Sequence, residues 1–224
     1  KYVLKKALDE TKDQSYVLYS LTQEQLSHSL FPLGGLTKEE VRALAQEHGL
    51  TCAQKGESQD ICFIPDGDYA AFIRRYTGRD YPAGPFVDEA GQVLGEHTGI
   101  IGYTVGQRRG LGVSSNQGRL YVKEVRPADN TVVLSDNNSL FARALTARQV
   151  NWIACDTPSA PLRLRAKVRY RMIEQPCTVE QTGPDQVRVV FDQPQRAITP
   201  GQAVVFYDGD TVVGGAAIEK GESL

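Results

Sequence analysis

The chain has 224 residues, 25 Lys and Arg against 27 Asp and Glu, a net charge of −2 at pH 7 and a negative mean hydropathy. That length suits two domains or three small ones; no apolar run reaches the ~20 residues of a membrane helix, and no charged-then-apolar signal segment opens the chain. Cys52, Cys62, Cys155 and Cys177 form no CxxC pair and the three histidines do not cluster near them, which argues against zinc and against a secreted disulfide framework and favours reduced thiols.

The first third reads as helical. Thr22 is placed to cap a short helix opening within 21–26. Thr37 caps a stronger one, with Glu40 at the capping-box spacing, Val41, Leu44, Ala45 and His48 at helical spacing, and Gly49 as its stop. Asp68 caps a third helix through Tyr69, Phe72, Ile73 and Tyr76. From Pro82 onward Gly and Pro become frequent, and short Val-, Ile- and Tyr-rich runs alternate with turn signals. Residues 86–95 read as a hairpin, and 120–125 with 131–135 flank Pro127-Ala128-Asp129-Asn130 as another. Residues 136–148 are polar and mixed and read as a linker. Six strands are then expected, at 149–154, 162–172, 176–182, 186–192, 202–207 and 211–219, which makes a small barrel or sandwich.

Four segments carry candidate chemistry. Lys12, Asp13 and Gln14 form a polar cluster ahead of an apolar stretch; a Gln amide can read a base edge, although a surface or capping role is commoner. Cys62 lies just beyond a polar Gly-containing loop, and is either a core filler or a nucleophile and sulfur carrier. Lys55 favours its thiolate, Glu57 and Asp60 oppose it, and Cys52 competes for the role. Residues 97–112 hold five glycines and a Gly-Gln-Arg-Arg-Gly core that suits phosphate contacts, yet match neither GxGxxG nor GxxxxGK[ST]. Residues 163–171 alternate without a break, so that on a strand Arg163, Arg165, Lys167, Arg169 and Arg171 line one face. Either acids on neighbouring strands or an anionic partner such as a nucleic-acid backbone must compensate that charge.

These pieces occur together in one family. Lys12-Asp13-Gln14-Ser15-Tyr16, Leu30-Phe31-Pro32-Leu33-Gly34, Ser58-Gln59-Asp60-Ile61-Cys62-Phe63-Ile64, Tyr103 to Gly112, Val168-Arg169-Tyr170-Arg171, Thr199-Pro200-Gly201-Gln202 and Val205-Phe206-Tyr207 run in family order over essentially the whole chain. By these motifs the chain resembles the tRNA-specific 2-thiouridylases, which replace O2 of a wobble uridine with sulfur. The resemblance implies that ATP adenylates O2, a cysteine persulfide attacks C2 and AMP leaves. It implies that Cys62 carries the persulfide and that Lys12, Asp13, Gln14, Arg169, Tyr170 and Gln202 contact tRNA. A regular strand turns Tyr170 away from the Arg169 face, so a bulge or strand end is expected there. Cys52, Cys155 and Cys177 take no catalytic role.

The implied fold class is α+β and multidomain. Residues 1–66 are the helical end of an α/β ATP-pyrophosphatase domain, 67–138 a small β-rich central domain, and 145–224 a C-terminal β-barrel. The Ser-Gly-Gly-x-Asp-Ser phosphate loop and the cysteine that partners the persulfide cysteine are absent from these residues. The chain is therefore read as the C-terminal portion of a longer enzyme whose ATP is bound elsewhere, inactive by itself. No metal is expected. The expected partners are tRNA and a persulfide-donor protein, in the cytoplasm and without a membrane. The rival readings are a tRNA-binding module without chemistry, a structural β protein, and a tRNA methyltransferase; the last needs a glycine-rich strand-to-helix loop followed by an acid, which the sequence lacks.

Overall fold

The computed structural model describes residues 1–54, 64, 67–113 and 118–223. They cluster into two compact units, one of Lys1–Lys55 with Ala142–Leu224 and one of Gly56–Phe141. The first unit opens with strand β1 (Leu4–Lys5) and the short helices α1 (Ser15–Leu18) and α2 (Gln23–Ser27). Thr22 caps α2 in a full capping box: its hydroxyl accepts from Gln25 N, and the Gln25 side chain accepts from Thr22 N. Helix α3 (Lys38–Glu47) is closed the same way by Thr37 and Glu40, and Gly49 follows it at φ 65°. Those bonds hold the Glu40 carboxyl below the usual carboxylate range. The apolar stripe of α3 is only partly covered, and Leu44 stays exposed.

The second unit contains α4 (Tyr69–Thr77), capped by the Asp68 carboxylate on Ala71 N and ended by Gly78 in the left-handed region. Its sheet combines β2 (Gly84–Val87), β3 (Val93–His97), β4 (Tyr121–Arg126) and β5 (Thr131–Ser135) in the order β3-β2-β5-β4. The two expected hairpins are both present, and β2 joins them by running parallel to β5. Phe86, Leu111, Val122, Val132 and Leu134 fill the core beneath. His97 is buried with them. Its Nδ1 accepts from Gly99 N at 3.2 Å, so Nε2 carries the proton and donates to the Asn130 carbonyl at 2.9 Å. A Cβ on Gly84 would lie 2.3 Å from that carbonyl oxygen, so only glycine fits.

The remainder of the first unit is a six-stranded barrel. Its strands are β6 (Phe141–Trp152), β7 (Leu162–Lys167), β8 (Gln175–Gly183), β9 (Gln186–Arg196), β10 (Ala203–Asp208) and β11 (Thr211–Ser223). They run β11-β10-β7-β8-β9-β6, and β6 closes the ring on β11. Closure removes the exposed edges. Residues 141–148, expected as part of a linker, are the first half of β6: Ala142, Ala144, Leu145 and Ala147 are buried, so the apolar content sits in small residues that a polar-looking segment conceals. Leu145, Val179, Val189, Phe191, Val204 and Phe206 fill the interior.

Strand β10 buries both faces. Val204 and Phe206 point into the barrel, while Val205 and Tyr207 pack outside it against Leu4, Tyr16, Leu26, Ile153 and Val212. This explains its unbroken apolar run. The N-terminal segment is held there by β1 on β11, with Leu4 opposite Val212, and by Asn151, whose amide donates to the Tyr19 and Leu21 carbonyls at 2.7 and 2.9 Å.

Candidate nucleic-acid interface

Three short segments of the first unit converge. The first is the turn before α1. The Asp13 carboxylate accepts from Ala7 N at 3.0 Å, from Ser15 N at 3.1 Å and from Ser15 Oγ at 2.6 Å. Asp13 thereby fixes the loop that leaves Lys12 and Gln14 exposed on either side of it. The second is the bend after β7, where the Arg169 carbonyl accepts from Met172 N. The third is Thr199-Pro200-Gly201-Gln202, which has Pro and a Gly at φ 82° in the central positions of a type II turn. Gln202 N donates to the Thr199 carbonyl, and Gly201 N and Gln202 O bond to Ile218 of β11.

Side chains link the three. Gln14 Nε2 donates to the Tyr170 hydroxyl at 2.6 Å. The Tyr170 ring meets the Tyr16 ring edge-on, with centroids 6.1 Å apart. The Tyr16 hydroxyl donates to the Ala203 carbonyl at 2.8 Å, next to Gln202. Arg169 donates to the Ala197 carbonyl at 2.8 Å and to Thr199 Oγ1 at 3.3 Å. Burial, followed by the nearby Arg196 charge, lowers the Arg169 pKa from its ordinary value. Ala197 itself is held at φ 54°, an unfavourable conformation for a residue with a Cβ.

Tyr16 is the residue that sequence reasoning passed over. In the sequence it is one residue of the apolar stretch behind Lys12-Asp13-Gln14, and only tertiary contact makes it the junction. It is buried, and burial pushes its phenol up to about 12.

The five-cation strand face is not what forms. Ladder pairing stops at Lys167 opposite Val205 and at Ala166 opposite Gln175, so Arg169, Tyr170 and Arg171 lie beyond the strand end. There Tyr170 reaches the same region as Arg169. The protein's own acids compensate the nearer cations: Arg163 is paired with Asp192 of β9, and Arg165 lies 3.4 Å from Glu174. Lys167 sits over the Tyr207 ring, with Nζ 5.3 Å from its centroid. Arg171 is exposed and forms no ion pair among the described residues.

Cys62 lies outside the described residues, as does most of its loop. Cys177 is fully buried in the barrel core, which pushes its thiol up to about 12; burial also raises Cys155. Both are packing residues with suppressed thiolates. Among the described residues no group of three or more His, Cys, Asp and Glu is placed to hold a metal, and no helix is long and apolar enough to cross a membrane.

Comparison with known proteins places the chain. Residues 1–66 match a family model described as a tRNA methyl transferase HUP domain, 70–136 a tRNA methyl transferase PRC-barrel domain, and 142–218 an aminomethyltransferase beta-barrel domain. The curated relatives include the tRNA-specific 2-thiouridylase MnmA of Clostridioides difficile, 48% identical over 98% of this chain and 61% of the relative. MnmA 1 of Caldanaerobacter subterraneus subsp. tengcongensis is 53% identical over 98% of this chain and 60% of its own length, and MnmA of Acetivibrio thermocellus 50% identical over 98% and 61%. Over 98% of its length the chain is similar to these tRNA-specific 2-thiouridylases. It spans about 60% of the length of these curated relatives.

Proposed function

We propose that this chain is the tRNA-holding and sulfur-carrying part of a tRNA-uridine 2-sulfurtransferase. The observation that carries the reading is the convergence of Gln14, Tyr170, Arg169 and the Gln202 turn around Tyr16. It assembles a base-edge amide, aromatic rings and a guanidinium within one small surface, the chemistry that grips an unstacked base and its phosphate. Lys12 adds charge beside it. Asp13 serves through the loop it orders, since an acceptor-only group repels phosphate. The names of relatives at about half identity favour sulfur transfer over the methyl transfer in the family-model descriptions.

The proposed organisation is a catalytic and tRNA-contacting part at 1–66, a β-rich central part at 67–138 and the barrel at 145–224; the three family-model matches follow nearly the same divisions. Cys62 is the proposed persulfide carrier, loaded by a donor protein in the cytoplasm. ATP is the activating cofactor of the proposed reaction, and the capped helices among the described residues do not fit it. The N-termini of α2, α3 and α4 are closed by their own Thr22, Thr37 and Asp68 side chains, which leaves no phosphate cradle there.

Two measurements test the reading. Gln14→Ala and Arg169→Ala are expected to weaken tRNA binding by about tenfold each; unchanged affinity at low and moderate salt would overturn the interface. With an ATP-pyrophosphatase segment, ATP, a persulfide donor and tRNA supplied, Cys62→Ser is expected to abolish 2-thiouridine formation and Cys52→Ser to leave it intact. Undiminished product in Cys62→Ser would leave a tRNA-binding module without chemistry.

A further inference from the structure

The Gly-Gln-Arg-Arg-Gly segment has no part in the interface above, yet side-chain and main-chain bonds fasten it within the central unit. Gln107 clamps it from inside. Its Oε1 accepts from Thr104 N at 3.0 Å and its Nε2 donates to the Arg109 carbonyl at 3.0 Å. Its main chain is tied to β4: Val122 N donates to Gln107 O at 2.9 Å, and Gly106 N donates to Val122 O at 2.7 Å. Leu111 is buried in the core just beyond. Gly106 and Gly110 turn the chain on either side at φ 87° and 76°.

What this clamp displays is a pair of cations. Arg108 and Arg109 are both exposed, and neither forms an ion pair among the described residues. Arg126 is matched by Glu124, Arg148 by Glu219 and the half-buried Arg188 by Glu222, whereas Arg171, like this pair, forms no ion pair among the described residues. Two neighbouring guanidiniums on an ordered backbone repel each other, and a polyanion relieves that repulsion. Order in the free state also lowers the entropy lost on contact. The planar donor fork of arginine is suited to bidentate contact with a phosphate. The Gln107 amide is committed at both ends, so the loop is built to grip a backbone and not to read a base.

We propose that Arg108 and Arg109 form a second contact with the RNA phosphate backbone, carried by the central unit, with Gln107 as the residue that positions them. This rests on the reading that the chain binds tRNA. The test is tRNA affinity of the 224-residue chain against KCl concentration, with thermal midpoints as a folding control. Replacing both arginines by alanine (R108A with R109A) is expected to flatten the slope of log affinity against log salt by about 1.4 to 1.8, the release expected for two phosphates. Gln107→Ala is expected to weaken binding about fivefold while leaving that slope unchanged, because it removes order and no charge. An unaltered slope in the double variant, with wild-type binding intact, overturns this contact alone; it is also the outcome if the pair engages an acidic protein. Absence of salt-dependent tRNA binding by the wild-type chain overturns both this contact and the proposed function.

Discussion

The Tyr16 hydroxyl donates to the Ala203 carbonyl, and its ring backs Tyr170. Tyr16→Phe keeps the ring and loses the bond. The expected result is a chain that folds, with stability reduced by about 1 kcal/mol in urea denaturation and weaker tRNA binding through the displaced Gln202 turn. Gly215 is equally constrained: a Cβ there would meet the Tyr19 ring at 2.4 Å and the Val204 carbonyl at 2.9 Å. Gly215→Ala is expected to loosen the N-terminal segment from the barrel, read as faster amide exchange in residues 15–21. Cys177 offers a chemical check. With its thiol pushed up to about 12 and its surface buried, it should resist iodoacetamide near neutral pH until the barrel unfolds. Modification of Cys177 in the native chain, seen by mass spectrometry, would contradict the packing described.

At the scale of elements, the helix ends were the most legible part of the sequence. Thr22, Thr37 and Asp68 all act as the caps their positions announce, because capping is a local bond over three residues. Thr22→Ala is expected to cost about 1 kcal/mol and to show in the first unit's thermal midpoint, since α2 carries the buried Leu26. Both hairpins of the central unit were legible from turn composition; the parallel β2–β5 join was not, because nothing local encodes it. The start of β6 was hidden by its small alanines. The strand at 162–172 was extended too far because alternation in sequence continues past the last partnered residue, Lys167. For the candidate site, the sequence named Gln14, Arg169, Tyr170 and Gln202 by motif. Their joining through Tyr16 depends on contacts between distant segments, and Cys62 lies outside the described residues.

Over the whole molecule, surface ion pairs set the response to acid. Asp192 beside Arg163, Glu222 beside Arg188, Glu219 beside Arg148 and Asp210 beside Lys5 are all held below the usual carboxylate range, chiefly by those hydrogen bonds. A carboxyl lowered by folding contributes stability above its unfolded pKa of about 4 and loses it as pH falls through the lower folded value. The thermal midpoint is thus expected to be flat near neutrality and to drop below about pH 4, with a shallower drop in Arg163→Ala. The pairing of β1 with β11 has a further consequence, in time. A segment at residues 4–5 finds its strand partner only at 211–212, and Gln14 meets Tyr170 across nearly as much chain. Such distant closures come late in folding. On a ribosome, the surface around Tyr16 stays unassembled until β11 has emerged, so a nascent chain cannot complete the proposed RNA-binding surface before its barrel is closed.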